Sequence, residues 1–267
     1  MAGDSARRPR IRAWRPAVPG VAEVLHAHFP DHAYPMHTHD TWTLLVVDTG
    51  LVRYDLDRHE HGALRSLVTL LPPHVPHDGR SVTEDGFRKR VVYLDADALD
   101  PGRIGNAVDH PGWADPTLRE QVHRLHGSLA HPGDAFEAES RLALVRERLG
   151  LHLADAEPPG VRRDLVLAHR LRDLLDSRVV TGLTLAEAAS LLGASETHLV
   201  RAFTREFGIA PHQYLTGRRL DRARHLLLDG RTVAETAVEV GFYDQAHLTR
   251  HFKRLLGVTP GTFVRVG

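Results

Sequence analysis

Four histidines in the first third of the chain have a spacing that could do metal or ligand chemistry. His37 and His39 form a His-x-His pair in PMHTHDTWTLLVVDTG (35–50), and on a β-strand two such residues face the same side. His74 and His77 follow in PPHVPHDG (72–79). Imidazoles gathered on one wall of a β-structure could bind Zn²⁺ or Fe. They could equally line a ligand pocket or support the fold.

A second set of residues occurs twice, about fifty positions apart. GASETHLVRAFTREFGIAP (193–211) is echoed by GFYDQAHLTRHFKRLLGVTP (241–260), in which His, Leu, Arg, Phe, Arg, Gly and Pro recur at an offset of 49. Upstream, Ala, Glu, Ala and Gly recur at an offset of 48. Each copy therefore predicts a helix, a glycine-containing turn and a second helix, the layout of a helix-turn-helix.

The helix boundaries within each copy have their own signals. Gly193 and Gly241 are predicted to end the first helix, where a left-handed conformation is usual. Ser195 and Asp244 are good N-caps for the second helix. These signals place the repeated arginines on helices rather than in loops.

The second helix of each copy combines an apolar face with a polar one. Apolar residues at spacing four are predicted to face inward: Leu199, Phe203 and Phe207, then Leu248, Phe252 and Leu256. The opposite faces carry Thr197, Val200, Arg201 and Thr204 in the first copy, and Gln245, Ala246, Thr249, Arg250 and Lys253 in the second. Outward Thr, Arg and Gln suit base edges and phosphates in a major groove. A helical repeat with solvated arginines is the alternative interpretation.

The elements that must position these residues change along the chain. From about residue 20 to 95, short apolar or alternating runs bounded by Gly, Pro, Asp and His predict a β-sandwich or barrel. Apolar residues recurring every three or four positions over 116–153 predict two helices. ADAEPPG (154–160) has the composition of a linker, and the pattern beyond it is helical.

Composition and charge narrow the class of protein. With 267 residues, 42% hydrophobic and 25% charged, the chain has the size and composition of two soluble domains. The absence of cysteine excludes a disulfide framework and a thiolate metal site. No apolar run approaches the ~20 residues of a membrane span, and the basic start MAGDSARRPRIRAW lacks the apolar segment of a secretory signal. A cytoplasmic location is expected.

Charge is divided unevenly within a net charge of zero. Residues 161–267 carry 16 Lys and Arg against 11 Asp and Glu, whereas residues 1–160 carry 18 against 23. The basic half can therefore meet phosphates while the acidic half stays away from them.

On these residues, the stretch from about 165 to 264 resembles the AraC/XylS family of bacterial transcription regulators. GFYDQAHLTRHFKRLLGVTPGTF is similar to the family signature, and YLTGRRLDRARHLLLDG (214–230) to the helix that joins its two units. The resemblance implies that both recognition helices enter successive major-groove faces of double-stranded DNA. The predicted DNA-contact residues are Thr197, Val200, Arg201, Thr204, Gln245, Ala246, His247 and Arg250.

The first half resembles a cupin, whose first motif is His-x-His, a Glu four residues on and a Gly seven beyond that. Gly50 is in place, but Thr43 stands at the Glu position and His74 replaces a glycine of the second motif. The missing carboxylate argues against a metal, and the resemblance implies a barrel that binds a small effector without one. The predicted effector-binding residues are His37, His39, Thr43, Leu45, Tyr54, His77 and Tyr93. No catalytic residue, cofactor or metal is predicted.

The predicted fold is a cupin-like all-β barrel followed by helices and a C-terminal all-α double helix-turn-helix domain. Its predicted parts are a disordered basic arm (1–18), the barrel (19–110), a helical segment for dimerisation or internal packing (111–153), a linker (154–160) and the DNA-binding domain (161–267). The predicted function is an effector-controlled transcription regulator, an activator by resemblance, with RNA polymerase as a partner. A metal-dependent cupin enzyme with a DNA-binding tail and a DNA-architectural protein without effector are the alternatives.

Overall fold

The computed structural model describes residues 9–30, 33–83, 85–155 and 164–265. The described residues form two compact units. The first contains those up to Ala130 and those from Leu144 to residue 155, and the second contains 131–143 and 164–265. The first is rich in β-strands and the second is helical, which confirms the predicted fold class.

Within these residues the first unit has ten strands arranged in two antiparallel sheets. They are β1 (Arg10–Trp14), β2 (Val21–Phe29), β3 (Ala33–His37), β4 (Trp42–Thr49), β5 (Val52–Leu56), β6 (His59–Ala63), β7 (Val68–Leu71), β8 (His77–Ser81), β9 (Phe87–Leu94) and β10 (Gly112–Trp113). The larger sheet has the order β1-β2-β9-β4-β7-β10, and the smaller one has the order β3-β8-β5-β6.

The core of this unit lies between the two sheets. Phe29, Val47 and Phe87 of the larger sheet pack in one buried cluster with Tyr54 and Leu56 of the smaller sheet. Alternate residues of each strand supply these side chains, because successive residues of a strand point to opposite faces. Five short runs within residues 20–95 form β2, β4, β5, β7 and β9, namely VAEVLHAHF, TWTLLVVDTG, LVRYDLD, SLVTLLPP and RKRVVYLD.

The basic arm is the first place where the expectation is wrong. Residues 10–14, predicted to be disordered, form β1 and pair antiparallel with β2, from Arg10 opposite His28 to Trp14 opposite Val24. The indole N–H of Trp14 also donates to the carbonyl of Leu129 at 2.8 Å. Charge in the arm did not prevent pairing, because a strand at a sheet edge can keep charged side chains exposed. Residues 1–8 lie outside the described residues.

Helices complete the first unit. They are α1 (Ile104–Asp109), α2 (Pro116–Leu129) and the second half of α3 (Ala135–Ala154). The spacing of apolar residues over 116–153 predicts α2 and α3 but not α1. Asp115 caps α2 and also accepts hydrogen bonds from Arg148 and His152 of α3, at 2.5 and 2.7 Å. The predicted linker 154–160 falls largely outside the described residues.

The second unit contains both copies of the repeat. Its helices are α4 (Leu165–Ser177), α5 (Leu185–Leu192), α6 (Glu196–Phe207), α7 (Pro211–Leu228), α8 (Val233–Glu239), α9 (Gln245–Leu256) and α10 (Pro260–Arg265). The predicted caps are confirmed: Ser195 accepts from the backbone N–H of His198, and Asp244 accepts from that of His247. Gly193 is left-handed at φ 64°.

Residues 131–143 belong to this helical unit, although the sequence places its start at 161. Glu139, on the first half of α3, accepts a hydrogen bond from the backbone N–H of Leu185 at the start of α5. The carbonyl of Ala143 accepts one from the hydroxyl of Thr197 on α6 at 3.2 Å. We call residues 131–143 the strap.

Candidate DNA-contact surface and ligand cavity

The outward face of α6 is only partly exposed. Thr204 is exposed and Arg201 half-buried, whereas Val200 keeps 2% of its surface exposed. The outward placement predicted for Val200 is therefore wrong in this conformation. The strap contacts α6 from the side of Thr197, so the buried stripe of the helix is wider than the Leu199 and Phe203 row indicates.

The first turn of α9 is open to solvent at two predicted contact positions. Gln245 and Ala246 are exposed, and Lys253, two turns further on, is exposed as well. His247 is buried, which differs from the DNA contact predicted for it. The backbone of Gly133 in the strap lies so close to the His247 ring that any side chain at position 133 would overlap it.

Asp134 of the strap connects three residues of α9. Its carboxylate accepts hydrogen bonds of 2.7 Å from Nη2 of Arg250. Nε2 of His251 lies 2.9 Å from Oδ1, and Nε2 of His247 lies 3.1 Å from the same oxygen. Arg250 and His247, both predicted to contact DNA, are thus engaged by the protein's own chain. We call Asp134, His247, Arg250 and His251 the Asp134 cluster.

The protonation pattern of the Asp134 cluster favours hydrogen bonds over a metal. Asp134, His247 and His251 offer ligand atoms within 4.8 Å of one another. However, the backbone N–H of Tyr243 donates to Nδ1 of His247, so the proton of the neutral ring sits on Nε2 and points to the carboxylate. Burial would raise the pKa of Asp134, but hydrogen bonds from His247 and His251 and the charge of Arg250 outweigh it and hold that pKa well below its ordinary value.

The seven predicted effector residues surround one cavity of about 80 Å³ between the sheets of the first unit. His37, His39 and His77 form one side, with ring centroids 4.6 to 5.2 Å apart. Strand β3 ends at His37, and His39 lies in the connection that follows it. The prediction that both histidines lie on one strand is therefore wrong. The ring of His39 nevertheless faces the same cavity. His74, at the glycine position of the motif, has φ 62°, a conformation that favours glycine.

Backbone carbonyls orient two histidines of the cavity, His37 and His77, and burial lowers the pKa values of His39 and His77. Nδ1 of His37 lies 2.7 Å from the carbonyl of Pro35, and Nδ1 of His77 lies 3.0 Å from that of Val75. Burial and the neighbouring rings of His77 and His37 lower the pKa of His39 to about 4, and burial also lowers the pKa of His77. In their neutral forms, His37 and His77 therefore carry the proton on Nδ1 and a lone pair on Nε2.

Sequence reasoning missed seven of the lining residues, and Tyr34 and Lys89 are the two among them with the most distinctive chemistry. Burial lowers the pKa of Lys89 to about 8, and its nitrogen lies 4.1 Å from the centre of the Tyr34 ring. A signal was present, because Phe87, Lys89, Val91 and Tyr93 alternate along β9 and so share its inner face.

Comparisons with known proteins agree with both units. Residues 19–145 match the AraC-like ligand binding domain, and residues 188–265 match a helix-turn-helix domain. The chain is 35% identical over 229 residues to the HTH-type transcriptional regulator YbfI of Bacillus subtilis, covering 80% of this chain and 81% of that protein. It is 24% identical over 243 residues to the HTH-type transcriptional activator RhaS of Salmonella paratyphi A, covering 86% and 87%.

Among solved structures, the C-terminal domain of AraT, a response regulator from Geobacillus stearothermophilus, is 30% identical. It covers 38% of this chain and 85% of that one, with a TM-score of 0.36. Within the described residues no helix combines the length and apolar character needed to cross a bilayer.

A ligand-binding β-domain joined to a double helix-turn-helix defines a class: DNA-binding transcription regulators with an effector domain. The chain belongs to the AraC family of these regulators.

Proposed function

We propose that α6 and α9 enter successive major-groove faces of one duplex and that a small molecule in the barrel cavity controls this binding. The supporting observation is the duplicated geometry. Both helices have 12 residues, both begin at a capping side chain that accepts from the third residue of the helix, and both end at a left-handed glycine. Arg201 and Arg250 occupy the same position in the two copies.

The proposed contacts fall into two groups. Thr204, Gln245 and Ala246 are exposed and reach DNA without rearrangement, whereas Arg201 is half-buried. Nη2 of Arg250 cannot bond to a base or phosphate while it donates to Asp134, so the full guanidinium becomes available to DNA when Arg250 leaves Asp134. We therefore infer that DNA competes with Asp134 for Arg250, and that this structure represents the DNA-free form of α9.

Transcriptional activation, contact with RNA polymerase and a cytoplasmic location complete the proposal. The name of the relative RhaS supports activation, and a regulator of bacterial genes meets its DNA in the cytoplasm. Dimerisation through α3 is less well supported. Its apolar residues Leu142, Val145 and Leu149 are already buried within one chain, which favours the internal packing role.

The proposal is tested in two steps: duplexes that bind the protein are selected from a random library, and their affinity for variants is measured by mobility shift. The full-length protein would enrich binding duplexes from a random 30-bp library, and the enriched duplex would serve as the probe for variants. Arg201→Ala should weaken binding by about 1–3 kcal/mol. Arg222→Ala, which removes an exposed arginine from the connecting helix α7, serves as the matched control. Failure to enrich any sequence, or equal losses in both variants, would contradict sequence-specific binding through α6.

A metal-dependent cupin enzyme is the second candidate function. His37 and His77 each point Nδ1 at a backbone carbonyl, the arrangement that often orients metal-ligating imidazoles. With His39 these rings could hold a divalent cation. Thr43 at the position of the cupin carboxylate and the cationic Lys89 in the same cavity disfavour it. Stoichiometric metal in the purified protein, lost in His77→Ala, would establish the metal site.

A further inference from the structure

Lys89 is a buried ammonium group for which the described residues supply no acidic partner. Its nitrogen lies among three aromatic rings, 4.1 Å from the centre of Tyr34 and 6.0 Å from those of Phe29 and Phe87. No carboxylate of the described residues lies within ion-pair distance of it. Aromatic faces stabilise a cation only partly, and a buried charge ordinarily has a counter-ion. Among the described residues, Lys89 therefore has no counter-ion.

Thr43 is a second unpaired group of the same cavity. The residue is 5% exposed, and its hydroxyl has no hydrogen-bond partner in the described part of the chain. Most buried hydroxyls are paired, so an unpaired one in a cavity points to a ligand or water that completes it.

These two groups stand at different heights of the cavity. On the paired strands β4 and β9, Thr43 lies opposite Tyr93, and Val47 lies opposite Lys89. Four residues along a strand separate the two levels by about 13 Å between backbones. Both groups line the same cavity, which has a volume of about 80 Å³.

We propose that the cavity binds a small hydroxy-carboxylate, whose carboxylate pairs with Lys89 and whose hydroxyl bonds to Thr43. This rests on the proposed function of the barrel as the effector site and names the chemical class of the effector. The aliphatic part of such a molecule would contact Leu45 and Val91, which also line the cavity.

The charged groups that line the cavity favour a ligand with a single negative charge. Lys89 is the one amine among the lining residues, and His39 and His77 are neutral near pH 7 because burial lowers their pKa values. Burial raises the pKa of Tyr93 to about 12, so its phenol remains a neutral donor. Asp78, the lining carboxylate, is engaged by the backbone N–H of Asp55 at 2.7 Å and by Arg80. One ammonium balances a monoanion better than a phosphate dianion.

The test uses the fact that the chain has two lysines, Lys89 and Lys253. Full-length protein with ¹³C at lysine Cε gives one resonance for each, assigned with Lys89→Met and Lys253→Met. The probes are 3-hydroxybutyrate, butyrate, 3-hydroxybutyramide and inorganic phosphate. We expect a saturable shift of the Lys89 resonance with 3-hydroxybutyrate and none at Lys253.

The probes separate the two ends of the ligand. Removal of the carboxylate, in the amide, should weaken binding about tenfold to hundredfold, and removal of the hydroxyl, in butyrate, about threefold to tenfold. Thr43→Val should abolish the difference between 3-hydroxybutyrate and butyrate. No shift at Lys89 with any carboxylate up to the solubility limit would overturn the proposal. Tighter binding of phosphate than of the carboxylates would replace the class by an oxyanion of higher charge.

Two controls decide the role of Lys89 itself. Ligand-induced changes in melting temperature should vanish in Lys89→Met and persist in Arg88→Met, which removes a charge from the next residue on the opposite face of β9. If EDTA abolishes the effect of 3-hydroxybutyrate and Lys89→Met leaves it intact, a metal on the histidines holds the carboxylate and the proposal is wrong. DNA mobility shift of the same variants tests the regulator separately. If DNA binding is lost while ligand binding persists, the proposed function is contradicted and the ligand class is not.

Discussion

Asp134 and Arg250, 116 positions apart in the sequence, meet in a hydrogen-bonded ion pair of 2.7 Å on the face of α9 that the repeat assigns to DNA. The carboxylate is buried, and His247 and His251 donate to it from the same helix. Asp134 is an anionic group of the strap that lies against the proposed DNA-contact face of α9. We therefore expect the pair to oppose DNA binding by α9 until it opens.

Asp134→Asn should strengthen DNA binding. The amide keeps the shape of the carboxylate but loses the charge that holds Arg250, so the affinity for the enriched duplex should rise about tenfold, the value of a charge-assisted hydrogen bond. Mobility shift below the melting temperature of the variant measures this. Asp173→Asn, on an exposed residue of α4 paired with Arg172 at 2.7 Å, removes the same charge from the same unit. An equal rise in both variants would show general electrostatics and no special role of Asp134.

Arg250→Ala should weaken DNA binding, the opposite of Asp134→Asn, and should show whether Arg250 contacts a base or a phosphate. If Arg250 reads a base, affinity for the enriched duplex should fall by about 1–3 kcal/mol while affinity for unrelated duplexes changes little. A smaller loss that is uniform across sequences would assign Arg250 to a phosphate. Combining Arg250→Ala with Asp134→Asn adds a further check, because Asp134→Asn should no longer tighten binding once Arg250 is absent.

The parts of the fold that the sequence predicts are those with a local periodic signal. Ser195, Asp244 and Gly193 mark helix ends by their own chemistry, and the spacing of Leu248 and Phe252 defines an inner face. The strap has no such signal. Its placement depends on the pairing of Asp134 with residues more than a hundred positions away, and many charged residues of this chain could have made an equivalent pair.

The residues that line the ligand cavity could likewise be predicted only in part from the sequence. His37 and His77 belong to a recognisable motif, so their side of the cavity could be predicted. The alternation of inward and outward residues along β9 places Lys89 on the inner face of the sheet. However, Lys89 stands between Arg88 and Arg90, and three consecutive basic residues are typical of a solvated surface. The unpaired state of Thr43 is a property of packing and has no counterpart in the sequence.

Phe252→Ala should destabilise the second helix-turn-helix. Phe252 is fully buried in a cluster with Leu220, Phe242 and Leu248, and its ring lies 5.4 Å from that of Phe263. Removing a core aromatic costs about 3–5 kcal/mol, since it loses apolar contacts and leaves a cavity. Denaturant unfolding of the full chain checks this, with Leu255→Ala, on the exposed side of the same helix, as the control. Equal melting of the two variants would contradict the inward assignment of Phe252.

Glu139→Gln should change how stability depends on pH. Burial raises the pKa of Glu139 to about 7, the hydrogen bond from Leu185 opposes this, and the nearby Glu196 and Glu187 add to it. A carboxyl with a raised pKa in the folded state binds its proton more tightly there than when unfolded. Its contribution is therefore fully present below about pH 4.5 and is lost as pH rises through 7, a change of up to about 3 kcal/mol. The neutral amide can still accept from Leu185, so Glu139→Gln should be more stable than the parent above pH 7 and should flatten this part of the profile.

Unfolding free energies measured from pH 4.5 to 8 decide the matter. Glu187→Gln, an exposed capping residue of α5, is the control that should leave the slope over this window in place. A profile for Glu139→Gln that still falls by the same amount across the window would show that another group titrates there.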